Sequence, residues 1–176
     1  MNQTAIVQTQ LLFGYVTWAI VLAIFVLPRL AALPRANAIR AIAGFHAFRF
    51  FGLVFILPGL MGSGVPAGFA VTAAYGDFAT SILALAALVT FRIRPLFWTF
   101  AVAFNVVGAG DLILDTLNAA RMNIPAWAGD LGAAYAIPIL YVPALMLTHA
   151  IAFWLMLRRP VAAPASAILQ SATVPS

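Results

Sequence analysis

Apolar residues fall into five long runs, at about 11–27, 41–61, 67–91, 96–117 and 131–157, and polar residues gather between them. Each run reaches the roughly 17–25 helical residues needed to cross a bilayer. The breaks are marked by turn and charge signals. Pro28-Arg29 closes the first run, and Arg29, Pro34, Arg35 and Arg40 read as a linker. Gly62-Ser63-Gly64-Val65-Pro66 is a tight uncharged turn, Arg92-Ile93-Arg94-Pro95 a basic one, and Arg158-Arg159-Pro160 ends the fifth run. The longest loop, 118–130, contains Arg121, Pro125, Trp127 and Asp130 and suits a short interfacial helix. The pattern predicts an all-α integral membrane bundle of five transmembrane helices over residues 1–160. An Ala/Ser/Pro-rich tail, 161–176, follows, of the kind that stays poorly ordered without a partner.

Charge sets the expected orientation. With the N-terminus outside and the C-terminus cytoplasmic, Arg29, Arg35, Arg40, Arg92, Arg94, Arg158 and Arg159 lie inside and Arg121 outside. The opposite topology would violate the preference for basic cytoplasmic loops. Trp98 and Trp154 then sit near the inner interface and Trp127 near the outer one. Met1 to Gln10 carries no positive charge, so the first run lacks the basic leader of a secretory signal and reads as a retained helix. The expected location is a bacterial inner membrane.

Composition agrees and excludes several chemistries. The 176 residues are 65% hydrophobic and 7% charged, against about 25% charged in a soluble domain. There is no cysteine, so thiolate chemistry, disulfides and c-type haem attachment are excluded. There is no lysine for a Schiff base. The net charge of +5 comes from arginines beside apolar runs, which speaks for membrane orientation and against nucleic-acid binding.

Ionisable groups inside the runs are the candidate site, because charge in hydrocarbon must find a partner or a wet cavity. His46 and Arg49 share one helical face of the second run. Asp77 lies on a face of small residues in the third, Ala70, Ala73, Ala74, Thr80, Ser81, Ala84 and Ala87, which predicts a close helix contact. Asp111 and Asp115, four apart in the fourth run, stack on one face, and Asn105 lies about 120° round from Asp111. His149 lies in the fifth run beyond Pro138 and Pro143, which should bend that helix. Counting about 1.5 Å per residue from the flanking arginines puts His46 roughly 9 Å deep, Arg49 and His149 about 13 Å, Asp77 about 22 Å and Asp111 about 25 Å.

Three functions fit these residues. In the first, His46, Arg49, Asp77, Asp111 and His149, with Asn105 and Asp115 in support, bind or conduct a small solute, ion or proton. In the second, His46 and His149 ligate a b-type haem in a quinone-linked redox subunit. In the third, the Arg49–Asp77 pair fixes helix register in an accessory subunit of a larger membrane complex or a homo-oligomer. No nucleophile–base spacing points to an enzyme, so catalysis is left open. Arg49-x-x-Gly52-x-x-Phe55 and Gly76-Asp77 resemble four-helix DoxX-like proteins over the last four runs, a likeness that transfers no residue role.

Overall fold

The computed structural model describes residues 2–158, and all elements among them are helical. Five helices are long and apolar enough to cross a membrane: α1 (Gln3–Ala32), α2 (Arg35–Ile56), α3 (Ala67–Val89), α4 (Arg94–Arg121) and α5 (Ile137–Leu157). A 3-10 segment, Ile124–Tyr135, joins α4 to α5. The tail at 161–176 and Arg159 lie outside the described residues.

Consecutive helices alternate in direction, so chain ends and turns sort to two ends. At one end Arg158 donates from Nη1 to the Ala31 carbonyl at 3.1 Å, and Arg35 donates to the Arg158 carbonyl. Both contacts satisfy carbonyls that a helix C-terminus leaves open. The guanidinium carbons of Arg40 and Arg94 lie 4.5 and 4.8 Å from the Phe91 ring centre at this same end. At the other end the Gly62 N–H donates to the Asp130 carbonyl at 2.7 Å, and the Tyr135 hydroxyl bonds Gln10.

Several helix ends fall elsewhere than the apolar runs suggest, though the third helix starts at Ala67 and the fifth ends at Leu157 as expected. Pro28 does not close the first helix. A π-helical turn at Leu22–Val26 carries the chain past it, with the Leu27 N–H reaching back to the Leu22 carbonyl. The same device recurs at Ile137–Tyr141, again six residues from turn start to proline, ahead of Pro143. Widening the turn shifts the hydrogen-bond register where proline has no N–H to give. The Trp18 indole N–H adds a bond to the Leu140 carbonyl at 2.8 Å, so Trp18 is a packing residue facing α5. The expected linker at 29–40 is helical on both sides of Leu33-Pro34. The second span starts at Arg35 and stops at Ile56, five residues before Met61. The fourth runs on to Arg121. The fifth begins at Ile137 because Gly132, at φ 53° and ψ −135°, breaks the helix after Leu131.

The small-residue face of α3 is buried along its length, as its composition predicts. It takes α2 on one side and α4 on the other. Such a stripe suits lipid, where helices associate by close van der Waals packing rather than by expelling water. Near the Arg-rich end Ile39, Ile42, Ala84, Ala87, Phe97, Phe104 and Leu155 form the main apolar core. α1 is peripheral: Gln3–Val21 packs mainly on α5 and the 3-10 segment before it, and only its end enters the main core, through Leu30. Leu12, Phe13, Ile20, Ile24 and Phe25 of α1 and Phe48, Phe50 and Phe51 of α2 are exposed. That surface and those helix lengths are those of a multi-pass membrane protein.

Candidate functional site

α2 changes character where the chemistry begins. It is α-helical over Arg35–His46 and 3-10 over Ala47–Ile56, where runs beyond three or four residues are uncommon. With three residues per turn, Arg49, Gly52 and Phe55 line up on one edge, and all three are buried. The start of this segment is pinned by α3, since the Ser81 hydroxyl donates to the Ala47 carbonyl at 2.6 Å.

Arg49 has no exposed surface. Its Nε donates to Asp77 Oδ1 and its Nη2 to Asp111 Oδ2, each at 2.6 Å. Its Nη1 donates to the Gly108 carbonyl at 3.1 Å and faces His149 Nε2 at 3.3 Å. Four of the five guanidinium hydrogens are therefore used, by groups on α3, α4 and α5. Charge-assisted bonds of this kind are the strong ones, and the fork of arginine suits two carboxylates where a lysine point charge would not.

The histidine roles follow from donor and acceptor counting. Arg49 can only donate, so His149 Nε2 accepts. The His149 Nδ1–H then donates to Asn105 Oδ1 at 2.9 Å, and the Asn105 amide donates to the Ala101 carbonyl at 2.8 Å. Thr148 donates its hydroxyl to the Ala144 carbonyl at 2.8 Å, so the His46 Nε2–H donates to Thr148 Oγ1 at 3.0 Å. That leaves His46 Nδ1 as a bare, buried lone pair with no protein partner.

Three glycines on three helices make room for these groups. A Cβ on Gly52 would strike the Asp77 carboxylate, and one on Gly76 the Asp111 carboxylate. A Cβ on Gly108 would lie 2.6 Å from an Arg49 nitrogen and 2.7 Å from His149 Nε2. Real Cβ atoms do not approach so closely, so any side chain here would displace the ion triad.

The structure thus brings Arg49, Asp77, Asp111, His149 and Asn105 into one network and sets His46 against it. Asn105, about 120° round α4 from Asp111, is joined to the network through His149. Asp115 stays out of the hydrogen bonding, and its buried Oδ1 has no partner. Thr148 was not singled out from sequence, and Gly52 and Gly76 were named only in the family resemblance, with no seat for a carboxylate assigned to them. Only the position of Thr148 beside His149 hinted at the first. The His46 and His149 rings pack against each other with centres 4.0 Å apart and planes at 41°. Both His149 nitrogens are engaged, and no gap for a macrocycle separates the rings. The pair does not fit bis-histidine ligation of haem.

Next to the triad is a chamber of about 160 Å³ bounded by α1, α3, α4, the start of α5, Phe55 of α2 and the Ile124–Tyr135 segment. Its wall is apolar apart from the carboxylates of Asp77 and Asp115, Thr116 and the tyrosines Tyr15 and Tyr135. Burial raises the Tyr135 hydroxyl above its ordinary pKa, so it remains a donor. Among the described residues no group of three His, Cys, Asp or Glu side chains is placed to hold a metal ion.

Residues 6–157 match the family model described as Domain of unknown function (DUF8737), and the chain belongs to that family. No curated protein and no solved structure matches it.

Proposed function

We propose that this DUF8737 protein is a multi-pass inner-membrane protein that binds a proton or small cation inside the bundle and passes it toward one face. The observation that carries this reading is a charge imbalance. One guanidinium serves Asp77 and Asp111, Asp115 stands beside them, and no second cation among the described residues pairs with any of the three. An uncompensated charge in a low-dielectric interior costs several kcal/mol even after relaxation. A proton or cation taken from outside offsets it. Intramembrane carboxylates of this kind mark ion and proton paths.

The orientation we propose is N-terminus outside. Arg29, Arg35, Arg40, Arg92, Arg94 and Arg158 all fall at one end of the bundle, and basic loops favour the cytoplasm. The carboxylates then open toward the outer half.

Proteoliposomes of the full chain, loaded with a pH-sensitive dye and polarised with potassium and valinomycin, test the reading. Proton entry should exceed that of protein-free vesicles and fall to their level in Asp111→Asn and Asp115→Asn. A wild-type flux equal to the protein-free leak overturns it.

A further inference from the structure

The chamber has features that a bare proton path does not require. Its volume, about 160 Å³, is close to the roughly 150 Å³ of a cavity that accepts benzene. Phe55, Phe69, Leu131 and Ile137 supply apolar walls. Asp115 lines this wall, and one of its carboxylate oxygens, Oδ1, is buried with no donor. Leaving a buried acceptor unmet costs about 1–3 kcal/mol, and more for a charged group. Asp77 also reaches the wall, while no arginine lines it. The chamber therefore offers negative charge and hydrogen-bond acceptors to whatever enters. An anion would meet two carboxylates, and a neutral hydrocarbon would leave Asp115 unmet.

We propose that this chamber binds a small hydrophobic ammonium ion, its ring or alkyl body against Phe55, Phe69 and Leu131 and its N–H donors on Asp115. The proposal rests on the reading that these carboxylates carry a compensating positive charge, and it names the class of molecule that brings it. Residues of α1, Val7, Leu11 and Tyr15, form the side wall toward the periphery. At these residues that helix packs mainly on α5 and the 3-10 segment before it, so an amphiphilic amine dissolved in the bilayer meets one peripheral helix on its way in.

Titration calorimetry on the detergent-purified full chain, with three probes of one shape, tests this. Benzylammonium should bind with one-to-one stoichiometry, at least tenfold more tightly than benzyl alcohol, and benzoate should not bind. Asp115→Asn, which keeps the side-chain shape, should weaken benzylammonium at least tenfold and leave benzyl alcohol within twofold. Ala119→Phe, which fills the chamber from α4, should abolish binding of both while the protein elutes as a folded species. Equal affinity for the amine and the alcohol overturns the proposal, as does an Asp115→Asn variant that binds the amine like wild type. If the amine fails to bind while the vesicle proton flux holds, the ligand class is wrong and the proton site stands. If the amine binds and no flux is seen, the chamber is a receptor site without conduction.

Discussion

Removing the guanidinium at position 49 should be among the most damaging single changes the bundle can suffer. Arg49→Met keeps much of the stem but strips the charge from between Asp77 and Asp111, whose side chains are only 8% and 10% exposed. Breaking a buried ion pair from one side costs about 3–5 kcal/mol. Here two carboxylates lose their partner, and the Gly108 carbonyl and His149 Nε2 lose donors as well, which puts the loss at the upper end of that range. At about 2–4 °C per kcal/mol for a chain of this size, the midpoint should fall by roughly 10–20 °C. The assay is thermal unfolding in detergent, followed by tryptophan fluorescence or by loss of the monodisperse peak. The informative partner is Arg49→Met with Asp77→Asn and Asp111→Asn. It removes all three charges and should recover at least half of the lost stability, since exchanging a whole buried charge cluster for neutral groups costs far less than splitting it. Arg49→Lys should fall between the two, having charge without the fork. A single variant within about 2 °C of wild type, against the 2–4 °C expected per kcal/mol, would show that the guanidinium does not hold the helices together. A triple variant as unstable as the single one would assign the loss to packing volume instead of charge.

Other outcomes follow from the same contacts. Gly108→Ala should lower stability by an amount comparable to Arg49→Met, because its methyl would occupy the space of an Arg49 nitrogen 2.6 Å away; Gly110→Ala, with nothing within 4 Å, should be silent in the same melt. Thr148→Val should cost about 1–3 kcal/mol by stranding the His46 Nε2–H in a dry interior, and Thr148→Ser should restore most of it. Trp18→Phe should cost about 0.5–1.5 kcal/mol for the lost bond to the Leu140 carbonyl, read in the same unfolding assay. Because the chain has no cysteine, Ser63→Cys and Ala32→Cys give clean topology probes. An impermeant maleimide added to intact cells should label the first and spare the second, and the reverse pattern would invert the proposed orientation.

How far the site could be read in advance depended on which periodicity governed each segment. The five spans and the buried face of α3 follow from apolar runs and small-residue spacing, and the structure contains both. The meeting of Arg49 with a carboxylate followed from the cost of charge in hydrocarbon. Its second carboxylate did not. Counting depth from Arg40 set Arg49 and Asp111 about 12 Å apart, yet they touch at 2.6 Å. The error lies in the origin of the count. α2 begins at Arg35, fourteen residues before Arg49, which places Arg49 about 21 Å in and within side-chain reach of Asp111. The glycine seats were illegible for a different reason. Gly52, Gly76 and Gly108 look like ordinary packing positions until the side chain above each one is known, and that depends on how helices distant in sequence are rotated. The 3-10 stretch has no local signature either, since its residues apart from Arg49 are apolar and all are compatible with an α-helix.

That tightened stretch of α2 behaves as a drawn-out screw thread. Ten residues rising about 2.0 Å each reach some 5 Å farther than they would at the α-helical 1.5 Å. Slackening to the ordinary pitch would pull the turn after Ile56 inward by that length. It would also swing Phe55 roughly a third of a revolution away from the edge it shares with Arg49. Because Phe55 is also part of the chamber wall, the pitch of this one segment sets the width of the compartment beside the charges.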